Sequence, residues 1–261
     1  MKQLYLILFA TIFCNIVFSQ TEIIEEFNVE ADKVRVDNLG YIYLVIGTQL
    51  SRFDSDLIKI AQYDYKLNGE ITNVDVSDPF RLLIFYKDFN RLIFLDNSLT
   101  ELRDPIYMDD LLIYSTNAVC SSNQGSFRVF DNQNSSVISF NKDLDITQKG
   151  TNLYSILGNQ NVIKIKESNN FVYALSSSGE IIILDKFANF VKKPDWKNIK
   201  TFDCINDKLY LLIDSEIYYA DENYEIIKIQ DLTLANILDF AISVNKLYVL
   251  TEKSLITFKI L

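Results

Sequence analysis

The sequence predicts an all-β chain closed into a β-propeller of six four-stranded blades. Three observations carry this expectation. A short aromatic and β-branched run, preceded by turn residues, recurs at Tyr41, Arg81, Ser126, Phe171, Leu209 and Leu247. Each run is followed within about ten residues by a second one, which commonly ends in Asp or Asn and reverses into a third. A weaker strand precedes each unit, so four strands fill a repeat of about 37–45 residues, the period of a propeller blade. That spacing leaves no room for the helices a parallel α/β sheet requires.

Residues 1–19 read as a signal peptide. Lys2 forms a minimal positive start, Leu4 to Phe18 is apolar apart from Asn15, and Val17 and Ser19 stand at −3 and −1 of a cut before Gln20. The run is short for a membrane span of ~20 residues; an uncleaved anchor is the alternative. Cys14 follows Phe13, where a lipidated cysteine needs a small residue, so lipidation is not expected. A leader ending FSQ, with Gln first in the mature chain, resembles exported proteins of the bacterial phylum Bacteroidota. Residues 20–261 are expected to form one propeller domain.

The strands then follow in order. Glu22 to Val29, EIIEEFNV, is a spare strand ahead of the first unit. Unit one reads KVRV, YIYLV, LSRFD and DLIKI; NVDV, NAVC, NVIKI, TFDCI and DFAIS open the others. The turns before the strong strands are DNLG, SDP, SNQG, SNN, IND and SVN, all suited to reversing a chain. Asp54, Asp96, Asn141, Asp185 and Asp221 end the strands that follow, where a short acceptor side chain caps a turn. The sixth unit stops at Leu261 after its third strand, so the spare strand is expected to complete that blade and cover its open edge. A β-sandwich or open solenoid does not need the missing strand to reappear at the other end. Five or seven blades are the alternative ring sizes.

The repeats lack the GH…WD pair of WD repeats, the double glycines of kelch blades and the S-x-D-x-G-x-T-W box of sialidase-type blades. In gross form, Glu22 to Leu261 resembles a diverged six-bladed propeller of the NHL and TolB kind. The resemblance rests on period and strand pattern, and it carries no active-site residue across.

Composition narrows the chemistry. The chain has no histidine, which excludes Ser-His-Asp or Cys-His catalysis and His-ligated metal. A net charge of −10 opposes general nucleic-acid binding. Cys120 and Cys204 lie in apolar alternating stretches and read as buried thiols, although an oxidising compartment would permit a disulfide. The 18 Phe and 15 Tyr are spread over all six units, as packing between blades requires. The small number of glycines, 7, fits turns built from Asn and Asp instead.

Three residue groups are candidate sites. Asp32, Asn73, Asn117, Asn161, Asn198 and Asn236 recur at intervals of 41, 44, 44, 37 and 38 residues, where each innermost strand begins. They would ring one channel mouth and bind a ligand or cation, or serve as turn residues. A hard cation wants several carboxylates, and this collar holds one. Asp75, Asp203 and Asp239 fall on innermost strands and are candidate acids for a glycosidic bond, with solvated strand ends as the plainer account. Trp196 with Lys192, Lys193 and Lys197 forms a local basic and aromatic stretch suited to a partner or sugar face, or to a protected blade edge.

The expected function is a non-catalytic protein-interaction or assembly module, exported to the periplasm or peripheral to the outer membrane. It needs no cofactor or metal, binds another envelope protein and no nucleic acid, and is a monomer or a subunit of a hetero-complex. The end of the chain inside its last blade favours periplasmic retention over secretion by a C-terminal sorting domain. Ligand or sugar binding at the channel mouth is one alternative, and a carboxylate-dependent glycoside hydrolase or lyase is another.

Overall fold

The computed structural model describes residues 22–229, 234 and 236–260. The signal peptide read over residues 1–19 lies outside these. The described chain forms six four-stranded antiparallel sheets arranged as a six-bladed β-propeller. The innermost strands are Lys33–Val36, Asn73–Asp75, Val119–Ser121, Val162–Glu167, Ile199–Ile205 and Ile237–Ile242 for blades 1 to 6. Five blades are built from consecutive strands. In blade 6 the outermost strand is Glu22–Asn28, paired antiparallel with Ser254–Lys259 from Glu22 opposite Lys259 to Asn28 opposite Ser254. This is the closure expected from the spare N-terminal strand.

Strands that face a neighbouring blade on both sides must be apolar on both sides. Leu82–Tyr86 of blade 2 shows why the strong runs lack polar alternation. Leu82, Ile84 and Tyr86 pack against blade 1, with Tyr43, Val45 and Leu50, while Leu83 and Phe85 pack against Phe127 and Val129 of blade 3. All five residues are fully buried. The same division occurs around the ring, so each of the six blade interfaces holds its own apolar cluster. Phe127 stacks on Phe140 at 5.2 Å and meets Phe94 of blade 2 edge-on at 5.8 Å, the arrangement aromatic quadrupoles favour.

The capped turns are built as their residue types require. Asp54, Asp96, Asn141, Asp185 and Asp221 each accept, through one Oδ1, the backbone N–H groups two and four residues on, at 2.8–3.0 Å. The residue three positions on takes a left-handed conformation: Leu57, Leu99, Leu144, Ala188 and Tyr224, with φ between 58° and 71°. Cys120 and Cys204 are buried free thiols, and burial raises both, Cys204 to about 12.

Candidate functional site

The innermost strands run in one direction, from the mouth where the predicted collar lies to the mouth formed by the turns Asp37–Gly40, Ser77–Arg81 and Ser243–Asn245. Their polar side chains mostly reach forward by one blade. Asn73 Nδ2 donates to Val119 O at 2.7 Å, and Asp75 accepts Ser121 N–H at 2.8 Å, both from blade 2 to blade 3. Between blades 3 and 4 the link comes from the second strand, Phe127–Asp131, whose Arg128 pairs with Glu167 of the innermost strand of blade 4 at 2.5 Å. Lys166 of blade 4 pairs with Asp203 of blade 5, which accepts Ile242 N–H of blade 6 at 3.0 Å. Asp239 of blade 6 accepts Val34 N–H of blade 1 at 3.1 Å and Arg35 Nη1 at 2.6 Å. Arg35 Nε reaches Val74 O of blade 2 at 3.3 Å and completes the circuit.

These contacts determine the protonation states. Burial pushes Asp203 up, but Lys166 and Lys164 outweigh it and hold the carboxyl below its usual range. Burial likewise opposes the charge on Lys166 and Arg35, and Asp203 and Asp239 respectively hold them above theirs. Lys164 behaves differently. It donates to Thr201 Oγ1 at 2.9 Å and Phe202 O at 2.5 Å, both neutral acceptors. Burial, reinforced by repulsion from Arg35, pushes its ammonium down to about 7.

A cavity of about 470 Å³ opens among Arg35, Asp75, Lys164, Lys166 and Asp203; the turns of the mouth opposite the collar line it, as does Asn73 of the collar. An adjoining hollow of about 490 Å³ shares Leu39, Ser77 and Glu167 with it. The rim is uneven: Leu39, Phe80 and Val244 are exposed on blades 1, 2 and 6, whereas Asn123, Gln124 and Asn169 face the hollow from blades 3 and 4. A glycosidase needs one protonated carboxylic acid beside a carboxylate. Here Asp75, Asp203 and Asp239 all accept backbone N–H groups of the following blade.

The collar residues stand where the innermost strands begin. Asp32 accepts Gly47 N–H at 2.7 Å, and Asn73 is buried on Val119 O. Asn161 and Asn198 present their carbonyls to Ser177 and Asp214 N–H, and Asn198 and Asn236 both hold φ of 58°. Asn117 is half-buried beside the fully buried Ala118. Among the described residues no group of three or more Asp, Glu, Cys or His is placed to hold a metal ion.

Trp196 lies in the connection from blade 4 to blade 5. It is 8% exposed, packed with Tyr173, Phe202 and Leu211, and its ring meets Tyr224 at 6.5 Å. Lys193 and Lys197 converge on Glu180, whose carboxyl they hold down at about 2, and Lys192 Nζ sits 4.3 Å from the Tyr224 ring centre. Sequence reasoning singled out the channel acids but missed Arg35, Lys164, Lys166 and Glu167. The signal was present in KVRV and VIKIKE, where cations two residues apart share one face of an otherwise apolar strand.

No family model and no curated protein matches this sequence. Solved structures match its fold. The WD40 domain of Pan2 from Neurospora crassa is similar with a TM-score of 0.63 and 12% identity, over 88% of this chain and 89% of that one. A streptogramin B lyase gives a TM-score of 0.57 at 10% identity, over 92% and 98%. Virginiamycin B lyase from Staphylococcus aureus gives 0.57 at 10% identity, over 93% and 100%. At these identities the likeness concerns the fold.

Proposed function

We propose that this chain is an exported, non-catalytic protein-interaction module of the cell envelope, periplasmic or peripheral to the outer membrane, with residues 1–19 as its cleaved leader. A fold seen in both a WD40 domain and lyases does not separate binding from catalysis, so the side chains must. The observation that carries this reading is the use of the channel acids. Asp75, Asp203 and Asp239 are engaged in joining successive blades. Exposed apolar side chains such as Leu39, Phe80 and Val244 at the mouths of the ring are open to a partner. No helix among the described residues is long and apolar enough to cross a membrane.

Affinity purification of the tagged chain from native membranes tests it. A partner recovered in stoichiometric amount is expected; recovery of the chain alone, as a free monomer, overturns the reading. Turnover of any member of a glycan panel, lost on Asp203→Ala in a protein that still folds, would overturn the non-catalytic part.

Ligand binding at the channel mouth is a second reading, favoured by the 470 Å³ cavity and by Lys164, which meets neutral acceptors. Calorimetric titration with small sugar acids, repeated on Lys164→Met, checks it; no heat with either protein removes it.

A further inference from the structure

The mouth of the ring that carries the collar also carries a stitched, apolar and acidic platform across blades 1 to 3. Leu67 is 74% exposed, Leu112 70%, Tyr114 61% and Phe89 49%. They come from three separate segments that are bonded together. Met108 N–H donates to Asn90 O and Asn90 Nδ2 donates to Ile113 O, both at 2.8 Å. Arg91 bonds Asn68 Oδ1 and, at 2.9 Å, Tyr107 Oη. A side-chain carbon added at Gly69 would meet the Phe89 ring at 3.2 Å, so these two loops touch. Fixed loops of this kind present their apolar groups at no further ordering cost.

The backbone of Leu112 ends the 3-10 turn Met108–Leu111, with its N–H donated to Asp109 O at 3.0 Å, but its side chain, unlike those of the other leucines in this conformation, is not buried. Four leucines of the described chain hold a left-handed backbone: Leu57, Leu99, Leu112 and Leu144. Leu57 and Leu99 are 8% and 4% exposed and Leu144 packs into a blade interface, so burial offsets the strain. Leu112, at φ 61°, faces solvent.

The charge around these side chains defines the occupant. Asp64, Glu70, Asp88, Asp109 and Asp110 are exposed on the same three segments, against three cations: the exposed Lys66 and Lys87 and the half-buried Arg91. A second copy of this chain would bring acid against acid, which disfavours self-association through this face. Apolar anchors ringed by carboxylates match a segment that carries apolar side chains flanked by Lys or Arg. We infer that this platform docks a basic, apolar-anchored segment of a different protein, an inference that rests on the protein-interaction reading.

The test uses residues 20–261 and a fluorescent peptide alternating Leu and Lys, with a Leu/Glu peptide as control. The Leu/Lys peptide is expected to bind, more weakly as salt rises. The double variant Leu67→Ser, Leu112→Asn should weaken it about tenfold or more. Leu39→Ser with Val244→Ser, on the opposite mouth, should leave it unchanged. Equal binding of both peptides, or no loss in the first double variant, overturns the inference. Should that variant fold poorly, a benzophenone side chain at position 89 of the otherwise unaltered chain replaces it: crosslinking from 89 and not from 244 supports the platform, and the reverse overturns it. Native pull-down then separates the two levels. A partner captured equally by the wild type and by the Leu67→Ser, Leu112→Asn variant overturns this surface and leaves the interaction reading standing. Capture by neither overturns that reading itself.

Discussion

Asp203 of blade 5 accepts the backbone N–H of Ile242 of blade 6 at 3.0 Å. The same carboxylate holds Lys166 of blade 4, so one side chain ties three consecutive blades. Asp203→Ala leaves a buried ammonium unpaired and a buried amide unsatisfied, and should cost about 3–5 kcal/mol in urea unfolding. Adding Lys166→Met should recover part of that loss. Asp203 is held below its unfolded value of 3.8, so its contribution is present above that pH and is lost as pH falls through the lower folded value.

Lys164 gives a pH effect of the same sign in a higher pH window. Its folded value, about 7, lies below the ordinary 10.5, so between these limits the unfolded chain binds the extra proton. Stability should therefore rise with pH across that window, by at most about 1.4 kcal/mol per pH unit for one proton. In Lys164→Met this component of the slope should vanish. Parallel slopes for the two proteins would refute the assignment.

Gly150 sits where blades 3 and 4 approach closely. A Cβ there would lie 2.6 Å from Ala188 O and 2.7 Å from Ala188 Cβ, closer than real contacts allow. Gly150→Ala should destabilise by about 1–3 kcal/mol, read from the denaturation midpoint at unchanged slope.

The capped turns contain their own control. Asp96→Ala removes two acceptor contacts, to Ser98 and Thr100 N–H, and should cost about 1–2 kcal/mol. Asp96→Asn should be close to neutral, because Asn141 makes the same pair of contacts in blade 3. Both are measured by thermal melting.

Removal of residues 22–28 should uncover the Ser254–Lys259 edge of blade 6. Concentration-dependent oligomers in light scattering are the expected result, since an unpaired apolar edge is a template for another strand.

The ring itself was readable in the sequence because blade packing forces long apolar runs, as in Leu82–Tyr86, and because turns announce themselves through Asp and Asn. The closing strand was readable from the count of strands at the two ends. The direction of the channel side chains was not. In blades 4, 5 and 6 the innermost strands shift register, between Val162 and Lys164, Ile199 and Thr201, and Ile237 and Asp239. A bulge re-aims the side chains beyond it, and no pattern of residue types marks its place. Lys164, Asp203 and Asp239 lie at or beyond such shifts, and their partners are supplied by a neighbouring blade 37 to 205 positions away in sequence. Trp196, flanked by lysines, has the look of a surface residue, and only the packing of blade 5 against it shows where its ring goes.

The seam of the ring has a mechanical consequence. Glu22 and Lys259 stand opposite each other, so both ends of the closing pair leave from the same side of the sheet. A pull between residues 22 and 259 would load its hydrogen bonds one after another, as a zip is opened, instead of all together. The line that completes the circle is thus also the line along which tension on its two ends would part it first.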